Sequence, residues 1–367
     1  MKVLLCFGTR PEAIKMASLY HQLKHHSFLE VKLCVTAQHR KMLDQVLFFF
    51  EIVPDYDLNL MKSNQTLNDL SATILSEIDL VLTKEIPDIV LVHGDTTTSS
   101  MVALASFHRG IKVGHVESGL RTYNKKAPFP EEINRQITGR IADFHFAPTV
   151  QAKSNLLNEG ILEKDILVTG NTVIDALLWT KNKLELGYVN QQIEDLKFLQ
   201  LKKFILVTGH RRESFGKGLI DYCEALLEIV ESIEDVHLVF PVHLNPNVQE
   251  PVHQILGNHK NIHLLDPIEY PVMVWLLNHC SLIISDSGGI QEEAPTFKKH
   301  ILVTRDVSER PEGIENGFST LVGTRKNVIV EKAKYYLKNG FFPKNENPYG
   351  DGNSAKKIVT YLENNLQ

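Results

Sequence analysis

The hydrophobic pattern of this chain is a succession of short aliphatic and β-branched runs, each followed by a longer stretch of helical character. In the first half the runs are KVLLCF (2–7), VKLCVT (31–36), DIVLVH (88–93), KVGHVE (112–117), DFHFAP (143–148) and DILVTG (165–170). In the second they are KFILVTG (203–209), VHLVFP (236–241), NIHLLD (261–266), SLIISD (281–286), HILVTR (300–305) and STLVGT (319–324). Strands that take turns with helices predict parallel sheets with right-handed crossovers. Each half therefore reads as one Rossmann-like, doubly wound α/β unit, and the two are expected to face each other across a cleft. Between the two sets, Asn171 to Lys203 is polar and helical without strand signals, which puts the boundary near Gly170. A final helix from about Asn353 to Asn364 is expected to cross back onto the first domain. The expected domains are residues 1–169 plus 352–367, and 170–351.

Composition narrows the partners. The 367 residues are 43% hydrophobic, ample for two buried cores. The formal net charge is -5. No Lys/Arg run resembles a nucleic-acid or membrane patch, so neither partner is expected and any bound anion should be small. The four cysteines, Cys6, Cys34, Cys223 and Cys280, lack metal or disulfide spacing and read as reduced core residues. Sixteen histidines sit mostly singly, with no H-E-x-x-H, so no metal is expected. The apolar stretch after Lys2 stops at Gly8, too short for a secretory leader, and no segment approaches a membrane span. A cytoplasmic protein is expected.

In open α/β sheets ligands sit beyond the carboxyl ends of the strands, so the residues just past each run are the ones to weigh. The first run ends in Gly8-Thr9-Arg10-Pro11-Glu12. This is not the G-x-G-x-x-G of a dinucleotide site, because a cation stands where glycines would admit a pyrophosphate. The first run of the second half ends in Gly209-His210-Arg211-Arg212-Glu213, the same G-x-R-x-E at the same place. Two carboxylates, Asp95 and Glu117, follow consecutive strands, which a single crossover would make neighbours. A third, Glu131, follows Pro130 at a helix start. Asp95 could instead cap the helix that begins near Thr97, and Glu131 could offset a helix N-terminus. Glu117, flanked by Gly114, His115 and Gly119, has no evident cap to make.

In the second half, Ser287-Gly288-Gly289 follows a strand and opens a helix, a turn that aims N–H groups at an anion or is capped by Asp286 or Ser287. Glu293 lies one turn on, where it reaches ribose hydroxyls or faces water. His210 stands beside Arg211, Arg212 and Lys217, and a histidine close to an anion can supply a proton or a positive charge. His243 and Arg310 occupy comparable loops, Arg310 with the alternative of a helix-start salt bridge. Cations and N–H donors come mainly from half two and carboxylates mainly from half one, with Arg10 crossing that division. Such a set suits an anionic leaving group joined to a neutral reacting part, as in a diphosphate-linked sugar.

Ten blocks in order carry a resemblance over nearly the whole chain: FGTRPEAIKM, TAQHRKMLDQV, HGDTTTSS, GHVESGLRT, PFPEEINRQ, GNTVIDAL, GHRRESFGKG, PVHLNPNV, SDSGGIQEEAP and ERPEGIENG. Together they resemble the non-hydrolysing UDP-N-acetylglucosamine 2-epimerases. The resemblance implies a GT-B-like pair of Rossmann domains, a homodimer and no cofactor. It implies that Arg10, Lys15, His210, Arg310 and the Ser287-Gly288-Gly289 turn bind the diphosphate side and that Glu293 holds the ribose. Asp95, Glu117 and Glu131 would serve the sugar and its proton transfers, with His210 and Arg10 stabilising the departing phosphate. Some relatives use a second UDP-N-acetylglucosamine as an allosteric activator. Gln38 and His243 match that pattern, whereas Lys41 and Asn64 depart from it. In DPIEYPVMV, Ile268 and Met273 depart from the family's uracil-contacting loop.

Carbon two of such a sugar has no neighbouring carbonyl to acidify its hydrogen. Breaking the C1–O bond with loss of the C2 proton gives a 2-acetamidoglucal, and re-addition of UDP with protonation of the opposite face gives the manno epimer. That path needs a held leaving group and carboxylates around C2. A hydrolysing epimerase that releases UDP and free N-acetylmannosamine, a retaining glycosyltransferase and a non-catalytic nucleotide-sugar sensor are the alternatives.

Overall fold

The structure, a computed structural model, describes residues 1–37, 40–62, 64–209, 217–306, 308 and 310–366, with the side chains of Lys41 and Lys217 left undescribed. Among the described residues thirteen strands form two sheets: β1 (Lys2–Phe7), β2 (Glu30–Val35), β3 (Tyr56–Asp57), β4 (Ile89–His93), β5 (Lys112–Val116), β6 (Phe144–Ala147) and β7 (Ile166–Val168), then β8 (Lys203–Thr208), β9 (Val236–Pro241), β10 (Ile262–Leu265), β11 (Leu282–Ser285), β12 (Ile301–Val303) and β13 (Ser319–Leu321). Every pairing is parallel. The first sheet runs β3-β2-β1-β4-β5-β6-β7 and the second β10-β9-β8-β11-β12-β13. All the apolar runs of the sequence are strands. The hydrophobic pattern misses only β3, because two residues paired to Cys34 and Val35 are too short to show one.

The chain separates into two compact units, Met1–Leu178 with Tyr349–Gln367, and Trp179–Pro348, the division falling inside the helix Thr172–Glu185. Burial on both faces makes the strands continuously apolar. In β8, Ile205 and Val207 join one core with Leu226 and Phe240, while Phe204 and Leu206 join the opposite core with Val239 and Ile283. The period of two along the strand thus divides one apolar run between two layers of helices. In the first unit Leu4, Cys6, Val90 and Val92 pack against Ile74, Ile78 and Val102 of the helices Leu67–Glu85 and Thr97–His108. All four cysteines are free and buried.

The last helix, Ser354–Asn365, returns to the first unit as expected. Its first N–H groups have no intrahelical acceptors, and Asp175 supplies them: Oδ1 accepts from Ala355 N at 2.9 Å and Oδ2 from Ser354 N at 3.2 Å. Tyr361 places its ring edge-on to Phe144 and Phe146 and donates its hydroxyl to the Lys164 carbonyl at 2.9 Å. Among the described residues no helix is long and apolar enough to cross a membrane.

Candidate active site

Strand order reverses between β1 and β4 in the first sheet, so a crevice opens beyond their carboxyl ends. The turn after β1 enters the helix Arg10–Lys24 through a capping box, in which Thr9 accepts from Glu12 N and the Glu12 carboxylate reaches back. Glu12 does more than cap. Its Oε2 accepts from Gly8 N at 3.1 Å and Thr9 N at 2.8 Å, and its Oε1 accepts from the Thr96 hydroxyl at 2.8 Å, tying the turns after β1 and β4 together. Burial pushes the Glu12 pKa up to about 7 against the hydrogen bonds from Thr96, Thr9 and Gly8, which pull it down. Gly8 has to be glycine for want of space, since a Cβ there would lie 2.0 Å from Thr36 Oγ1 and 2.7 Å from Thr98 Oγ1. Arg10 is the first residue of the helix, partly exposed.

Glu117 follows β5 with φ 62°, in the left-handed region, where non-glycine residues at functional sites are found under strain. The residue is 8% exposed, and its Oε2 is held by the Lys15 ammonium and by Asn171 Nδ2 at 2.7 Å. Lys15, which the resemblance gives to the diphosphate, therefore pairs with the sugar-side carboxylate in this structure. Asn171 is itself fixed, its Oδ1 accepting from Val173 N at 3.0 Å and its N–H donating to the Tyr349 carbonyl at 2.7 Å. His93 ends β4 with Nε2 3.7 Å from Glu117 Oε2. Its pKa is held down to about 4, chiefly by burial; Glu117 and Asp95 oppose that shift and Lys15 adds to it. Lys15, Asp95 and Glu117 are thus all within electrostatic reach of one ring.

β4 and β5 are neighbours, as the crossover argument requires, so Asp95 and Glu117 leave adjacent strand ends. Asp95 is not the cap of the helix Thr97–His108, because Thr96 takes that place by accepting from Ser99 N at 3.0 Å. Asp95 Oδ2 instead accepts from Arg135 Nε at 3.0 Å and Nη2 at 2.6 Å, and its carbonyl accepts from Asn134 Nδ2 at 2.9 Å. Glu131 opens the helix Glu131–Ile141 as expected, and no hydrogen bond or ion pair reaches its carboxylate among the described residues. Its neighbour Glu132 is the structural one of the pair. Fully buried, Glu132 accepts from Thr122 N and Tyr123 N at 3.0 Å each and from Gln136 Nε2 at 3.0 Å. Burial pushes the pKa of Glu132 up, and these bonds together with the Arg135 charge outweigh that and leave it lowered.

In the second unit the order reverses between β8 and β11. Ser287 caps the short helix Gly288–Glu293 and donates its N–H to Ser285 Oγ at 2.9 Å. The guanidinium of Arg310 lies against Gly288, where a Cβ would come within 2.6 Å of Cζ, and Arg310 Nε donates to Glu292 Oε1 at 3.0 Å. Arg310 thus joins the Ser287-Gly288-Gly289 turn and forms a salt bridge with Glu292. Glu293 does not face water: it is 6% exposed and accepts from the Tyr270 hydroxyl at 2.8 Å. His243 sits exposed in the turn after β9, its Nδ1 accepting from Asn245 N at 3.1 Å. His210, with Arg211 and Arg212, and Gln38 lie outside the described residues. Among the described residues no three His, Cys, Asp or Glu side chains converge as a metal-ligand set.

Sequence reasoning passed over Glu12, His93, Arg135 and Asn171. His93 and Asn171 carried a usable signal, a polar residue closing or following an apolar run. Arg135 carried none, since it acts on a residue 40 positions away, and Glu12 carried a capping-box signal but none for its bond to Thr96, 84 positions away.

A family model described as UDP-N-acetylglucosamine 2-epimerase matches residues 21–363. A UDP-N-acetylglucosamine 2-epimerase of Escherichia coli strain K12 is 52% identical over 372 residues, covering 100% of this chain and 99% of the relative. The crystal structure of UDP-GlcNAc 2-epimerase from Neisseria meningitidis bound to UDP-GlcNAc is similar at TM-score 0.93 and 47% identity, covering 100% of both chains. An S. aureus protein solved with UDP is similar at TM-score 0.90 and 44% identity, covering 100% of this chain and 96% of that one. With a carboxylate cluster at one switch point, a glycine turn under an arginine at the other, and this likeness along its whole length, the chain belongs to the UDP-N-acetylglucosamine 2-epimerase family.

Proposed function

We propose that the protein interconverts UDP-N-acetylglucosamine and UDP-N-acetylmannosamine by inverting carbon two without hydrolysis. The observation that carries the reading is Glu117, a buried carboxylate in a left-handed backbone conformation, held by Lys15 and Asn171 beside a second strand-end carboxylate, Asp95. Carboxylates so placed can serve proton transfer at a carbon. In the forward half-reaction a carboxylate takes the C2 proton, the C–H electron pair becomes the C1=C2 double bond, and UDP leaves with the C1–O pair. In the return, UDP oxygen attacks C1 and a proton is delivered to the other face of C2. Asp95, Glu117 and Glu131 share these base and acid duties. No hydride acceptor is called for, since no carbon is left oxidised.

Arg10, His210, Arg310 and the Ser287-Gly288-Gly289 turn hold the diphosphate, Lys15 adds positive charge beside it, and Glu293 binds the ribose. On this reading residues 1–169 with 352–367 serve the sugar and residues 170–351 the nucleotide. The product supplies N-acetylmannosamine units for a bacterial surface polysaccharide, made by a cytoplasmic homodimer. A second UDP-N-acetylglucosamine as activator would use Gln38 and His243 without the usual residues at Lys41 and Asn64.

Solvent deuterium tests the reaction. Incubated with UDP-N-acetylglucosamine in heavy water and followed by NMR, the protein should wash label into C2 and yield both epimers. Label-free C2 defeats the reading, and accumulation of free N-acetylmannosamine replaces it with hydrolysis. Glu117→Gln should lose at least a hundredfold in turnover, roughly the worth of a general acid–base group, while UDP affinity stays within about twofold.

A further inference from the structure

One buried polar atom at the end of β4 is left without a bond. His93 is 4% exposed, and its Nε2 makes no hydrogen bond among the described residues. That atom stands 3.7 Å from Glu117 Oε2, just beyond hydrogen-bond length. The same oxygen already accepts from Lys15 and Asn171. A buried nitrogen without a partner carries a desolvation cost, and such an exception in a folded protein calls for a cause, a catalytic role among them.

We propose that His93 is a positioning residue for Glu117: its neutral imidazole accepts the O–H that forms on Glu117 when this carboxylate takes the proton from carbon two. The inference rests on the reading of Glu117 as a proton-transfer group. In the resting enzyme the carboxylate has no proton to offer and the imidazole nitrogen stays unbonded. Once Glu117 is neutral, its pairing with the Lys15 ammonium loses its charge term, and a new acceptor is needed to keep the acid oriented toward the sugar. The C2 proton moves to a Glu117 oxygen and no further; the histidine takes a hydrogen bond, not a proton. Four groups face the ring: Glu117 from the end of β5, Lys15 from the helix Arg10–Lys24, Asp95 from the turn after β4, and His115 of β5. Burial and Lys15 keep the ring from charging until about pH 4, so a bare nitrogen is present throughout the neutral range.

Two variants separate this role from others. Phenylalanine keeps the ring and removes the acceptor, whereas glutamine places an amide oxygen near the site of Nε2 and does not titrate. For His93→Phe, kcat for C2 exchange in heavy water should fall about tenfold to a hundredfold, the worth of one hydrogen bond to a group that changes charge. KM should stay within about twofold, because the role assigned to His93 is exercised on Glu117 rather than on the substrate. The acidic limb of the rate profile should move to lower pH, since the protonated form of Glu117 loses its acceptor. His93→Gln should recover most of kcat and the wild-type limb. If His93→Phe does not fold, His93→Leu, which likewise removes the acceptor, takes its place with the same expected loss, and His93→Gln separates a hydrogen-bond acceptor from a histidine that takes the proton itself, which glutamine could not replace. Unchanged kcat and pH limb in His93→Phe, or loss in His93→Gln, overturns the assignment while wild-type exchange leaves the parent reading standing. Absence of exchange in the wild type removes both.

Discussion

Glu12 stands two residues past Arg10 and has a different task. Four atoms of the turns after β1 and β4 converge on its carboxylate or its own N–H, so it sets the places of Arg10 and Asp95 without touching either. Its pKa of about 7 in the fold, against 4.5 ordinarily, gives the sign of a pH effect. The folded state holds the proton more tightly than the unfolded one, so this group contributes stability below about pH 4.5 that is lost as pH rises through about 7. The full span is worth roughly 3 kcal/mol. Glu12→Gln keeps an acceptor and cannot titrate. The wild type should therefore gain on the variant as pH falls from about 7 to 4.5, read as the difference in Tm by calorimetry at several pH values. A constant difference would contradict the assignment. Arg10 caught attention in the sequence because it replaced a glycine. Glu12 did not, because a capping-box glutamate looks alike whether or not a distant threonine bonds it.

Among the elements, the C-terminal helix shows how a local signal and a distant one combine. Its extent was legible from the tail of the sequence within a residue at either end, Ser354–Asn365 against an expected Asn353–Asn364. Its anchor was not legible, because Asp175 is 179 residues from Ser354. Asn353 offers no side-chain cap, so the carboxylate of another helix takes over. Asp175→Ala leaves two buried N–H groups unbonded and should cost about 1–3 kcal/mol. Denaturant titration should show the loss, and limited proteolysis should cut the chain near Gly352 faster than in the wild type. Asp175→Asn, which keeps one acceptor, should lose less. Equal proteolysis in all three would mean that Tyr361 and its contacts with Phe144 and Phe146 hold the helix alone.

On the scale of the whole molecule, buried histidines govern the response to acid. In the first unit, burial holds His93 and His145 down to about 4 and His115 down to about 3. In the second unit, burial holds His300 down to about 4 and lowers the half-buried His237 and His263 by less. Each ring is neutral in the fold and charges near 6.5 when unfolded, so its contribution is present above about pH 6.5 and lost as pH falls toward 4. Glu12 and Asp175, both raised by burial, act in the opposite direction and offset part of this in the first unit. Amide exchange between pH 7 and 4 should therefore show protection falling in the first unit before the second. Simultaneous loss, or loss first around His300, would contradict that order.

The sequence by itself determined the alternation of strand and helix, the parallel sheets and the list of residues standing past strand ends, because these follow from periods of two and 3.6 and from turn chemistry within a few positions. Only the tertiary structure decided which of those residues meet. Lys15 reaches Glu117 across 102 positions and Arg135 reaches Asp95 across 40, distances over which no local pattern operates. Burial then sets the protonation of His93 and Glu12, and burial belongs to the packed molecule, since a residue's solvent is fixed by neighbours that chain order does not supply.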